Sequence, residues 1–127
     1  MGIDELLEGS RARLQRLTPA QAYTASGRGA VIVDTRPLEQ RRRQGVVPGA
    51  IVIGRNVLEW RVDPTSGFTD PMLAGHRGEV IVMCAEGYSS SLAAASLQEV
   101  GVVAATDMVG GFLAWAAAGL PVEPCSD

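Results

Sequence analysis

Four short apolar runs, separated by segments that read as helices, set the strongest limit on how this sequence can fold. They are "AVIVDT" (residues 30–35), "GAIVIG" (49–54), "EVIVM" (79–83) and "AATDMV" (104–109). None alternates apolar with polar residues as a strand with one wet face would. Short continuous runs of this kind belong to strands buried on both faces. Such strands need cover on two sides, and the segments between them supply it.

Residues 4–16 read as a helix with charged and leucine positions. Thr18 is a good N-cap and Pro19 a good first helical residue, and Gly27 and Gly29 end that helix. "RPLEQRRRQG" (36–45) reads as a short helix closed by Gly45. Residues 55–78 are irregular, with a helical turn over 57–61 and a Pro/Gly-rich loop after it. Residues 89–101 begin with serine and end with glycine, and residues 110–119 form a last helix. Buried strands alternating with helices predict an α/β domain with a mainly parallel sheet and helices on both faces. There are no internal repeats and no low-complexity segments.

Composition narrows the function. At 127 residues the chain suits one core, and 46% hydrophobic with 20% charged residues is neither disordered nor membrane-embedded. No apolar run reaches the roughly 20 residues of a membrane helix, and the acidic start lacks a signal peptide's apolar stretch, so a cytoplasmic protein is expected. A net charge of −3 argues against nucleic acid. The basic run at Arg41–Arg43 reads as the solvated end of a helix. All 11 cations are arginine, which excludes Walker, Schiff-base and pyridoxal lysines. Cys84 and Cys125 are not expected to form a disulfide, because Cys125 sits in a "PCSD" tail that reads as frayed. Two cysteines and one histidine make no convincing zinc site, so neither metal nor cofactor is expected.

Cys84 therefore needs its own explanation. It is the first residue past the third apolar run, and in parallel α/β sheets sites lie beyond the carboxyl ends of the strands. The segment Cys84-Ala85-Glu86-Gly87-Tyr88-Ser89, followed by Ser90, leads straight into a helix. A tight loop there turns backbone N–H groups inward, the helix start adds unpaired donors, and Gly87 allows the curl. The thiolate of Cys84 would be the anion at the centre, with a lowered pKa. Two readings stand from position alone: this reactive cradle, or a buried inert thiol with the serines as helix caps.

The sequence resembles the rhodanese-like family from about Thr18 to Pro124. "VIVDTRPLEQRRRQGVVPGAIVI" is similar to that family's opening, an Asp-x-Arg after a strand and then a Gly-His-Ile-Pro-Gly-Ala block. Asp34, Arg36, Gly45, Pro48, Gly49 and Ala50 fit, and Val46 replaces the histidine. "VIVMCAEGYSSSLAAASLQEVG" resembles the active-site strand, loop and helix. "DMVGGFLAWAAAGLPVE" resembles the closing block, with Gly110, Gly111, Trp115, Gly119 and Pro121 in place. The resemblance implies a rhodanese fold over residues 18–124, with residues 1–17 a helical extension. It implies that Cys84 carries sulfane sulfur as a persulfide, moved from a donor such as thiosulfate to a thiol, cyanide or protein acceptor. Ala85 to Ser89 map onto the cradle. A common family loop reads Cys-Arg-x-Gly-x-Arg. Here Ala85 and Ser89 occupy the arginine positions and Glu86 adds a negative charge, which weakens the case for thiosulfate.

Arg55 and Arg61 flank the turn after the second apolar run, and either could supply the missing charge; each alone reads as a surface arginine. Glu86 either points to solvent or faces the mouth. Arg36, beside Asp34, is expected to pair with a carboxylate such as Glu39 and hold the loop. Trp60 reads as core, as do Trp115 and Phe112, and His76 as a surface loop residue. The leading expectation is a single-domain sulfurtransferase. The alternative is a non-catalytic sulfur carrier or partner-binding module. A related phosphatase needs an arginine six residues after the cysteine, where Ser90 stands. An arsenate reductase lacks both that arginine and a resolving cysteine near the site.

Overall fold

The computed structural model describes residues 1–126. Four parallel strands form one sheet in the order β2-β1-β3-β4: β1 (Val31–Asp34), β2 (Ile51–Val52), β3 (Val80–Met83) and β4 (Ala105–Asp107). Six α-helices accompany them: α1 (Ile3–Ala12), α2 (Pro19–Gly27), α3 (Leu38–Gln44), α4 (Leu58–Val62), α5 (Ser89–Glu99) and α6 (Gly111–Ala117). Short 3-10 turns cover Arg55–Val57 and Pro71–Leu73. The expected mixed α/β fold with a parallel sheet is the one adopted.

The continuous apolar runs are explained by two cores. Side chains of successive strand residues point to opposite faces. Val33, Val80 and Val82 face Leu58, Val62, Ala93, Ala94 and Leu97 of α4 and α5. Ile32, Ile81 and Met83 face Ala22, Ala25, Phe112 and Trp115 of α2 and α6. β3 is buried at every residue, while β2 at the sheet edge shrinks to two residues with Val52 exposed. An edge strand pairs on one side only, so an apolar run there need not extend the ladder.

Local signals set the element ends. Thr18 and Gln21 form a reciprocal capping box at α2, with Pro19 as its first residue. Gly45 closes α3 at φ +93°. α1 stops at Ala12, four residues earlier than the sequence suggests, and the chain then pairs Leu17 with Met108 beyond the end of β4. α1 packs against α5.

Several expectations need correction. Trp60 is not core: it is 57% exposed on α4. The basic run is only partly solvated, because Arg41 is buried and donates from Nε to Arg36 O. The tail is tied down at Glu123, which pairs with Val46, and Arg41 Nη1 lies 3.8 Å from Cys125 Sγ. Both cysteines are free thiols. Among the described residues no helix is long and apolar enough to cross a membrane.

Candidate active site

β3 delivers Cys84 to the carboxyl edge of the sheet, and the chain curls through residues 85–88 into α5. The thiol is 8% exposed and accepts a hydrogen bond from the Gly87 N–H at 3.1 Å. Gly87 makes the curl possible at φ +84°; a Cβ there would stand 2.7 Å from Gly110 N, so no other residue fits without displacing backbone. The opposite side of the loop is held by the start of α6. Phe112 N–H donates to Cys84 O at 2.8 Å and Leu113 N–H to Ala85 O at 3.1 Å. Gly111 lets α6 come this close, since a Cβ on it would overlap Cys84 O.

Burial disfavours the Cys84 thiolate, but hydrogen bonds outweigh it. The Ser90 and Ser89 hydroxyls and the Ser90 and Gly87 N–H groups hold its pKa below that of an ordinary thiol. Ser90 Oγ also donates to Asp107 Oδ2 at 2.8 Å. One hydroxyl proton cannot serve both acceptors, so Ser89 and the two N–H groups are the dependable donors to sulfur.

A cavity of about 280 Å³ opens over the thiol, lined by Thr35, Arg36, Pro37, Gln40, Arg55 and loop residues 84–86, 88 and 89. A larger cavity of about 370 Å³, lined by Tyr23, Val47, Met72 and Trp115 among others, lies away from the cysteine and is lined by no charged side chain. Ala85, Glu86, Tyr88, Ser89 and Arg55 thus reach the mouth. Gly87 serves it from beneath and Ser90 is fully buried. Arg61 does not line the cavity; its guanidinium donates to Phe68 O at 2.9 Å and to Asp70 Oδ2 at 3.3 Å. Glu86 is both exposed and on the rim, so its two expected placements coincide.

The two cations at the mouth are already paired. Arg36 is gripped by Asp34 rather than the expected Glu39, with Nη2 2.7 Å and Nε 3.0 Å from the carboxylate oxygens. It also stacks 3.9 Å over the Phe112 ring and donates to Gly45 O. A carboxylate two residues away on the same buried strand end is nearer than one on the exposed face of α3. Arg55 meets Glu59 at 2.9 Å. Burial opposes ionisation of Glu59, yet the Ser96 hydroxyl, backbone donation and Arg55 together lower its pKa.

Sequence reasoning missed Asp107. This fully buried carboxylate ends β4 and accepts from Ser90 at 2.8 Å, Ser91 at 2.7 Å and Arg16 at 2.8 Å. It makes two of the serines struts rather than helix caps. The available signal was an aspartate ending a two-face-buried strand, the same signal that Asp34 gives. Arg11 and Arg16 were missed as well; both donate to Gly87 O.

A sequence model of the rhodanese-like domain matches residues 18–118. The chain belongs to the rhodanese-like family. Among solved structures, a Rhodopseudomonas palustris protein of unknown function, a "possible tyrosine phosphatase", shares 34% identity at a TM-score of 0.86, covering 97% of this chain and 95% of its own. The thiosulfate sulfurtransferase of Pseudomonas aeruginosa shares 27% identity at a TM-score of 0.75. That match covers 94% of this rhodanese-like chain but only 22% of the larger protein. A rhodanese-related protein of Thermoplasma volcanium, 22% identical over 84% of this chain and 95% of its own, shares the fold at a TM-score of 0.64. No curated protein matches the sequence.

Proposed function

We propose that this rhodanese-like protein is a sulfurtransferase that carries sulfane sulfur on Cys84 and favours donors less charged than thiosulfate. The observation that carries the reading is the Gly87 N–H on Cys84 Sγ at the floor of an open cavity. The Cys84 thiolate attacks the donor's outer sulfur. The new S–S bond forms as the donor's own S–S bond breaks, and the leaving group departs with the electron pair, as sulfite from thiosulfate or as a thiolate from a persulfide; with mercaptopyruvate the bond broken is C–S and the enolate of pyruvate leaves. A thiolate or cyanide then attacks the outer sulfur of the Cys84 persulfide and restores the Cys84 thiolate. The inward N–H groups serve each anionic stage in turn.

Charge at the mouth supports the donor preference. Arg36 is offset by Asp34 and Arg55 by Glu59, which leaves Glu86 in excess. A dianion finds no spare guanidinium. A charge-assisted hydrogen bond is worth about 1.5–3 kcal/mol against about 1 for a neutral one, and losing one in the transition state costs roughly tenfold in rate.

The same observation makes a phosphatase the weaker reading: the loop has no arginine to clamp a phosphoryl group, and the Ser90 hydroxyl is taken by Asp107. The second reading, a non-catalytic carrier or partner-binding module, is favoured by the lack of a free guanidinium at the mouth. Mass spectrometry after exposure to thiosulfate, a thiosulfonate, glutathione persulfide and mercaptopyruvate separates the cases. One cyanide-removable sulfur on the Cys84 peptide, absent from Cys84→Ser, is expected. Loading without turnover to any acceptor would establish the carrier, and sulfur loading by Cys84→Ser would overturn the mechanism.

A further inference from the structure

Two arginines from the segment before the family's domain end on the cysteine loop. Arg11, in the last turn of α1, donates from Nη2 to Gly87 O at 2.8 Å and from Nε to Ser91 Oγ at 3.1 Å. Its guanidinium carbon lies 5.4 Å from the centroid of the Tyr88 ring. Arg16 donates from Nη2 to the same Gly87 O at 2.9 Å and grips Asp107 through Nε at 2.8 Å. Gly87 is also the residue whose N–H meets the thiol. One glycine is therefore held between the sulfur and two guanidinium groups. Charge-assisted bonds to a carbonyl are stronger than neutral ones. Gly87 O belongs to the Gly87–Tyr88 peptide and the N–H on the sulfur to the Glu86–Gly87 peptide, so the two guanidinium groups act by fixing where Gly87 sits and through their charge.

We infer that Arg11 and Arg16 are positioning residues for Cys84: from behind the loop they supply the positive charge and fixed geometry that Ala85 and Ser89 do not, acting through Gly87 rather than on the sulfur donor. The inference deepens the sulfurtransferase reading and rests on it for the role of Cys84. The charged groups around the thiol come from every neighbouring element. Arg36 with Asp34 and Arg55 with Glu59 cancel in pairs. Glu86 and Tyr88 lie on the exposed rim. Behind the loop stand two cations, Arg11 and Arg16, against one anion, Asp107, which leaves one positive charge in excess. A side chain with five fixed donors thus serves the loop without occupying the mouth, which stays open to an uncharged or singly charged donor.

The test is the pH profile of Cys84 alkylation by iodoacetamide in the full chain, resolved by peptide so that Cys125 does not contribute. Arg11 is only half-buried, so substituting it leaves both cores untouched. Arg11→Met and Arg11→Gln are expected to raise the midpoint by about half a unit, lowering the thiolate fraction at neutral pH about threefold. Arg11→Lys should retain most of the wild-type profile. Arg16→Gln, which also strands Asp107, should shift the midpoint further. A purely structural role predicts a lower Tm with the midpoint unmoved, and that result for both Arg11→Met and Arg11→Gln overturns the inference. So does an unmoved midpoint with an unmoved Tm. If wild-type Cys84 takes sulfur from no donor, the sulfurtransferase reading falls, while the midpoint comparison still decides the arginines.

Discussion

Opposing forces meet at Cys84, and pH separates them. Desolvation raises the thiol pKa, and the hydrogen bonds from the loop and the start of α5 lower it further than burial raises it. Its alkylation midpoint should therefore lie below the ordinary thiol value of about 8.5. The sign for stability follows. A folded pKa below the unfolded one stabilises the fold fully above the unfolded value, and that contribution is lost as pH falls through the folded value. Urea denaturation of the wild type and Cys84→Ser should diverge in the wild type's favour as pH rises through that window; a constant difference would place the two pKa values together. At the rim, Ser89→Arg should raise kcat/KM for thiosulfate about tenfold and for a persulfide donor less, by restoring one charge-assisted contact. Glu86→Gln should move thiosulfate the same way by a smaller factor. Steady-state assays with the two donors decide it, and equal gains for both would show that charge is not what limits thiosulfate.

At the scale of elements, the two tryptophans show what the sequence could and could not reveal. Trp115 on α6 is buried, edge-on to Tyr23, and its Nε1–H donates to Pro121 O at 2.7 Å. Trp60 on α4 is largely exposed, although α4 buries Leu58 and Val62. Trp115→Ala should cost about 3–5 kcal/mol and Trp60→Ala about 0.5 or less, measured by denaturant unfolding. A five-residue helix buries one stripe, and composition cannot show which of Leu58, Trp60 and Val62 stays outside it. The strands were legible because each is sealed on both faces, and the cysteine loop because it lies where a parallel strand hands over to a helix. The partner of Arg36 was not, since Asp34 and Glu39 stand two and three residues away and burial, not spacing, decides between them. An aspartate ending a buried strand marked Asp107, but no spacing rule links it to the serines 16 and 17 residues before it. β2 was read too long because an apolar edge segment looks the same whether or not it is hydrogen-bonded.

Across the whole molecule, the carboxyl edge of the sheet gathers the chain's chemistry. β3 brings the thiol, β4 brings Asp107, α6 pins the loop carbonyls and α1 reaches over α5 with Arg11. These ties span long stretches of chain: Arg11 to Ser91 is 80 residues and Arg16 to Asp107 is 91. Closing such distant contacts is slow, because the entropy of the intervening chain is lost before the contact rewards it. α1 is thus expected to dock among the last elements, and the thiol to reach its full reactivity only when it does. In refolding from urea quenched with iodoacetamide at neutral pH, fast labelling of the Cys84 peptide should appear with the slowest phase, after Trp115 fluorescence has reached its native value. Reactive Cys84 ahead of that phase would mean that the strand, loop and helix around it are sufficient to activate the thiol. Otherwise the nucleophile stays partly muted until α1 has docked, a safeguard against stray disulfides in the unfinished fold.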